Sequence, residues 1–154
     1  LCSDFGANVK FLIGKSLVKA LSDGLIDVIV SDHKPEDEES KRLPFADAAF
    51  GGVGLETLLA ITLELFHNGH LEILDALKLI TSAPSDLLGL KAGRLKKGYP
   101  ADLALFDPNR GWKVDADAMQ SISKNSPFDG RPVQGSVLMT IIVLGLGSVL
   151  VKGI

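Results

Sequence analysis

Cysteine is almost missing: Cys2 is the only one in 154 residues, so the chain can build neither a disulfide framework nor a thiolate metal cluster, which fits a reducing, cytoplasmic compartment. Stacking surface is scarce too, with one Trp, one Tyr and seven Phe, and a net charge of −3 leaves no broad basic face for phosphates. Both features argue against nucleic-acid binding. The most apolar stretch, residues 137–151, falls short of the roughly 20 residues of a spanning helix and is interrupted by Gly145 and Gly147. It reads as two strands around a Gly-rich turn, not as a membrane segment. The first residues, LCSDFG, show neither an initiator Met nor the basic-then-apolar order of a signal peptide, and suggest a chain that begins in mid-protein. What is present, 46% apolar and 23% charged residues, suffices for one globular domain.

The chain is organised around residues 24–35 (GLIDVIVSDHKP). Leu25, Ile26, Val28, Ile29 and Val30 form a short, nearly continuous apolar run, the pattern of a strand buried on both faces in a parallel sheet. Ser31, Asp32 and His33 stand at its exit, and in barrel and doubly wound α/β folds the carboxyl ends of the strands hold the active site. Asp32 is therefore the first candidate for a working residue. The alternative is a turn cap, with Pro35 stopping the strand. Before this strand, Leu17, Val18 and Leu21 recur at helical spacing and Asp23-Gly24 gives a stop signal. After it, residues 36–42 (EDEESKR) carry too much charge to bury and read as an exposed loop, either a solvated face or a lid beside Asp32.

Residues 50–54 (FGGVG) permit close backbone approaches but match no dinucleotide or P-loop fingerprint. An apolar stripe from Leu55 to Phe66 predicts a helix closed by residues 67–69 (HNG), the pattern returns over residues 71–80, and Pro84 fits the first turn of a short helix through Leu88. His67 and His70 lie at helix ends, where an imidazole commonly caps carbonyls, and neither has metal-ligand spacing. From Gly93 the composition turns strand-forming, with short strands expected at 95–98, 101–106, 112–114 and within 136–151. The expected architecture is α/β: residues 1–92 hold helices and a buried strand, and residues 93–154 a small β-layer with a loop or helix segment at 115–135.

Five motifs in this order, residues 26–33 (IDVIVSDH), 41–45 (KRLPF) followed by 49–51 (AFG), 54–57 (GLET), 95–107 (LKKGYPADLALFD) and 124–130 (KNSPFDG), resemble the carboxyl-terminal part of dihydroorotases. These are metal-dependent cyclic amidohydrolases, and the resemblance covers nearly the whole chain. It implies that residues 1–92 are the last part of a TIM-type (β/α) barrel whose final strand ends at Asp32. Residues 93–154 then supply strands of a small composite β-sandwich. It further implies that Asp32 binds a metal centre, expected to be zinc, and acts as general base, while Phe50 and Gly51 meet the substrate ring through their backbone. The implied reaction is the reversible hydrolysis of dihydroorotate to carbamoyl aspartate in pyrimidine biosynthesis, by a cytoplasmic homo-oligomer.

The sequence departs from that pattern in three places. The family's His-x-His pair, its other metal-binding histidines and its bridging lysine derivative have no match here. A Pro-Pro-Leu-Arg stretch is expected between Phe11 and Ser16, where residues 12–15 read LIGK. Glu36 stands where catalytic members place a His that helps hold the substrate carboxylate, and an ionised Glu repels an anion there. Two further readings follow. One is a non-catalytic homologue serving as structural partner of aspartate transcarbamoylase, a bacterial branch to which residues 32–45 are similar. The other is a hydantoinase-like amidase for neutral substrates, which relieves the conflict at Glu36.

Overall fold

The computed structural model describes residues 14–144 and 148–153. Cys2, the opening LCSDFG, residues 11–13 of the divergent segment and the Gly145 to Gly147 turn lie outside the described residues. Helix α1 covers residues 14–22, and Gly24, at φ +71°, takes the chain out of it. Four more helices follow: α2 (Glu38–Arg42), α3 (Leu58–His67), α4 (Ile73–Lys78) and α5 (Ser82–Leu87). Strands β1 (Leu103–Lys113), β2 (Pro132–Leu144) and β3 (Ser148–Gly153) form an antiparallel meander in that order. The three predicted helices after residue 54 thus appear, with bounds shifted by a few residues.

The core lies where α3 crosses the sheet. Ala60 from α3, Val133 from β2, and Val53, Val114 and Met119 from the connecting segments pack together, with Ile61, Trp112 and Phe128 against them. Close approach of helix to strand depends on Gly135, whose φ is +103° and whose place for a Cβ lies 2.4 Å from Leu63 Cδ1. The Trp112 indole donates to the Gly135 carbonyl at 2.9 Å, fixing β1 to β2 at the same level.

Three expectations are corrected. Residues 25–30 are extended but not a buried strand: Leu25 is 75% and Val30 70% exposed. A strand is buried only by neighbours, and here the contacts are an Ile29 N–H donated to Leu79 O and one parallel bridge from His33 to Gly52. Residues 36–42 are not a loop throughout. Asp37 accepts from the Ser40 N–H at 2.7 Å and caps α2, with Glu38 and Glu39 in its first turn and Lys41 and Arg42 in its last, a charge order that suits the helix dipole. Residues 95–98 form no strand, whereas β1 runs unbroken through Pro108 by bulging between Asp107 and Gly111, where the partner strand has only Gly135 to oppose. Of the loop or helix expected at 115–135, the structure shows the loop, with turns and no helix, and its last residues belong to β2.

Candidate active site

Asp32 sits at the end of the extended segment with φ +43°, the only non-glycine residue at positive φ among the described residues. Aspartate tolerates this left-handed conformation better than most residues, yet it remains a strained place for a side chain. The carboxylate is exposed and accepts no hydrogen bond among the described residues. A free acid on a sharply turned backbone is therefore presented to solvent.

The next residues tie that turn to the Gly-rich loop. The Lys34 N–H donates to Gly52 O at 3.0 Å, beside the His33 bridge. His33 Nδ1 accepts from the N–H groups of Gly54 and Leu55, at 3.3 and 3.4 Å, and so caps the turn that leads into α3. This role places the ring proton on Nε2 in the neutral form. Gly51 has φ +136°, and a Cβ there would lie 2.6 Å from Lys34 O, so only glycine lets the loop come this close to the strand end.

Phe50 and Gly51 lie in that loop, with the Phe50 ring 78% exposed. Their carbonyls are held from behind: Lys34 Nζ donates to Phe50 O at 2.9 Å, and Lys41 Nζ to Ala49 O at 2.8 Å and Gly51 O at 3.0 Å. Asn125 Nδ2 also donates to Gly51 O, while its own main-chain carbonyl receives the Val53 N–H, both at 3.3 Å. Glu36 is largely covered and pairs with Lys34 at 2.9 Å. Its charge is thus met by an ammonium before any substrate arrives.

Lys34, Lys41 and Asn125 escaped the reading of the sequence. No local spacing marks an ammonium that holds a carbonyl ten residues away; the signal available was only that KRLPF and KNSPFDG recur in the resemblance. Glu56, in the GLET motif, accepts from the N–H groups of Gln120 and Ser121 and so anchors the segment that leads to Asn125. His67 Nε2 lies 3.0 Å from Pro108 O, so its ring meets a carbonyl of β1 instead of capping the end of its own helix, and braces the β1 bulge.

Among the described residues, no three His, Cys, Asp or Glu side chains form a group able to hold a metal ion. Asp32 fits as one ligand, being unpaired and exposed, whereas catalytic zinc sites draw on three protein ligands. Any metal centre here needs donors beyond these residues.

Residues 15–153 match the amidohydrolase family. The chain belongs to that family. The dihydroorotase of Wolbachia sp. subsp. Drosophila simulans (strain wRi) is 47% identical over 127 residues, which are 82% of this chain and 29% of the relative. The dihydroorotase of Ehrlichia chaffeensis (strain ATCC CRL-10679 / Arkansas) is 48% identical over 82% of this chain and 28% of its own. Among solved structures, L-hydantoinase (dihydropyrimidinase) from Arthrobacter aurescens superposes with a TM-score of 0.77 at 35% identity, over 89% of this chain and 33% of that one. Dihydropyrimidinase from Brevibacillus agri NCHU1002 gives 0.79 at 25% identity, over 90% of this chain and 31% of that one. The chain therefore spans about a third or less of the length of these amidohydrolases. The likeness implies a TIM-barrel-type fold for the family domain, of which the described residues form a partial α/β piece. No helix among the described residues is long and apolar enough to cross a membrane.

Proposed function

We propose that this chain is the carboxyl-terminal part of a dihydroorotase, which hydrolyses the cyclic amide of dihydroorotate to carbamoyl aspartate in pyrimidine biosynthesis. The observation that carries the reading is the junction of an unpartnered, left-handed Asp32 with the Phe50 to Gly52 loop through the His33–Gly52 bridge. The reading is supported by an exposed acid lying next to a Gly-rich loop that is hydrogen-bonded to its segment. Identities of 47 and 48% to dihydroorotases, against 35% to L-hydantoinase, favour this substrate over a neutral hydantoin. On this reading residues 1–92 belong to the barrel and residues 93–154 to a small composite β-domain, in a cytoplasmic, homo-oligomeric protein.

In the hydrolytic direction the water oxygen bonds to the amide carbonyl carbon, the ring C–N bond breaks, and the water proton travels to the leaving nitrogen. Asp32, as its carboxylate, collects that proton and returns it to the nitrogen. The backbone of Phe50 and Gly51 orients the ring. Asp32 would be one ligand of a divalent metal, expected to be zinc, which when bound would supply polarisation of the scissile carbonyl.

The test is ring opening of dihydroorotate by the full-length polypeptide that carries this chain, with Asp32→Asn as the variant. Asparagine tolerates the same backbone, so folding is retained, and kcat should fall by about 10²- to 10⁴-fold. Activity within a few-fold of the parent removes Asp32 from the mechanism. A folded parent that binds metal and turns over hydantoin alone supports the hydantoinase reading, and one without turnover that co-purifies with aspartate transcarbamoylase supports the structural-partner reading.

A further inference from the structure

The carbonyls of Ala49, Phe50 and Gly51 are three in a row, and each meets an ammonium group. Lys41 reaches across from the last turn of α2 and bridges Ala49 O and Gly51 O, while Lys34, leaving the strand end, takes Phe50 O. In a trans peptide the C=O of one residue and the N–H of the next point in opposite directions. Turning Ala49 O toward Lys41 therefore turns the Phe50 N–H away from it, and turning Phe50 O toward Lys34 turns the Gly51 N–H away from Lys34. Neither N–H has a protein acceptor among the described residues. Charge-assisted hydrogen bonds are shorter and stronger than neutral ones, and Lys41 is half-buried. The bonds of Lys34 and Lys41 thus fix the orientation of the two peptide planes.

We propose that Lys41, assisted by Lys34, is a positioning residue that sets the Phe50 and Gly51 peptide planes and so aims their N–H groups at the acceptor atoms of the substrate ring. The inference rests on the dihydroorotase reading for its substrate. It also gives Glu36 a role: by pairing with Lys34 it holds that ammonium near Phe50 O, and the pair adds no net charge where an anion must bind. Lys41 then remains as the uncompensated cation behind the loop, since the structure pairs it with carbonyls and with no carboxylate among the described residues.

The experiment compares Lys41→Met, Lys41→Arg and Arg42→Met in the full-length polypeptide, by steady-state ring opening of dihydroorotate and by hydrogen exchange of the 48–54 amides. Arg42 projects from the same helix and pairs only with Glu38 among the described residues, so Arg42→Met controls for damage to α2 and should leave both readouts unchanged. Lys41→Met should raise KM about tenfold with a smaller change in kcat, because interactions made equally with substrate and transition state act on KM. It should also speed exchange at Ala49 and Val53, whose N–H groups donate to Ser40 O and Asn125 O. Lys41→Arg, which keeps the charge and the donors, should recover most of both. A Lys41→Met enzyme with KM within twofold of the parent and unchanged exchange overturns the proposal. If the parent does not open dihydroorotate, the functional reading fails alone, and exchange decides the positioning role: faster in Lys41→Met and restored in Lys41→Arg supports it, unchanged in both overturns it.

Discussion

Gly51→Ala is the substitution whose consequence is most directly worked from geometry. The new Cβ would lie 2.6 Å from Lys34 O, 3.0 Å from Lys34 Cβ and 3.1 Å from Lys34 Cδ. The nearest of these atoms is main chain, and real Cβ atoms stay beyond 3.0 Å, so loop and strand end must separate by at least about 0.4 Å. The φ of +136° adds strain of about 1–3 kcal/mol for any residue with a Cβ, which the chain relieves by turning the peptide. Turning it breaks the ammonium contacts to Phe50 O and Gly51 O. Displacements of about 1 Å in substrate-positioning groups cost on the order of 10²-fold in rate. On the proposed reading, Gly51→Ala in the full-length polypeptide should therefore lower kcat/KM for dihydroorotate about 10- to 100-fold, while Ala60 and Val133, core residues on α3 and β2, keep their hydrogen-exchange protection. Steady-state kinetics and exchange on the same preparation read both quantities. A variant with parental kcat/KM would refute the claim that close approach of this loop to Lys34 shapes the site.

Two other perturbations address the frame. Gly135→Ala places a Cβ against fully buried Leu63 at a φ of +103°, so overpacking and strain together should destabilise by about 2–4 kcal/mol, read as a lowered urea midpoint; Leu63→Ala in the same chain should recover part of that loss. Arg94 grips Asp86 with both guanidinium nitrogens at 2.5 Å and holds its carboxyl below the ordinary aspartate value of 3.8. A depressed folded pKa means that this pair stabilises the fold above the unfolded value and ceases to do so as pH falls through the folded one. The Asp86 carboxyl should titrate below 3.8 by NMR, and in Arg94→Met its midpoint should rise toward that value; an unmoved midpoint would show that the fork is not formed in solution.

The helices α3 and α4 were legible because each carries its own apolar stripe, as with Leu55 to Phe66 before residues 67–69. Their information is local, and so survives without neighbours. Residues 25–30 carried an equally clear apolar signal, but burial is a property of what lies alongside, and exposed Leu25 and Val30 show a pattern whose covering elements are not among the described residues. The acid-rich segment concealed α2, since seven charged or polar residues in a row look like a loop until Asp37 is seen to cap. The gap expected between strands at 101–106 and 112–114 misled in the opposite sense: one strand runs through Pro108 and absorbs it as a bulge braced by His67. In the site, Asp32 and the glycines could be picked out by chemistry and position. Lys34, Lys41 and Asn125 could not, because their partners are main-chain atoms brought near only by the turn at Asp32 and the close approach at Gly51.

That turn at Asp32 has a further consequence. Where the backbone is left-handed, glycine is the residue the fold itself prefers, and exchanging aspartate for it would relax strain and make the chain easier to fold. Keeping a carboxylate there runs against the stability of the structure that presents it. Screening this region for heat resistance alone would select away the acid first, and on the proposed reading the hardier proteins would have nothing to take the proton.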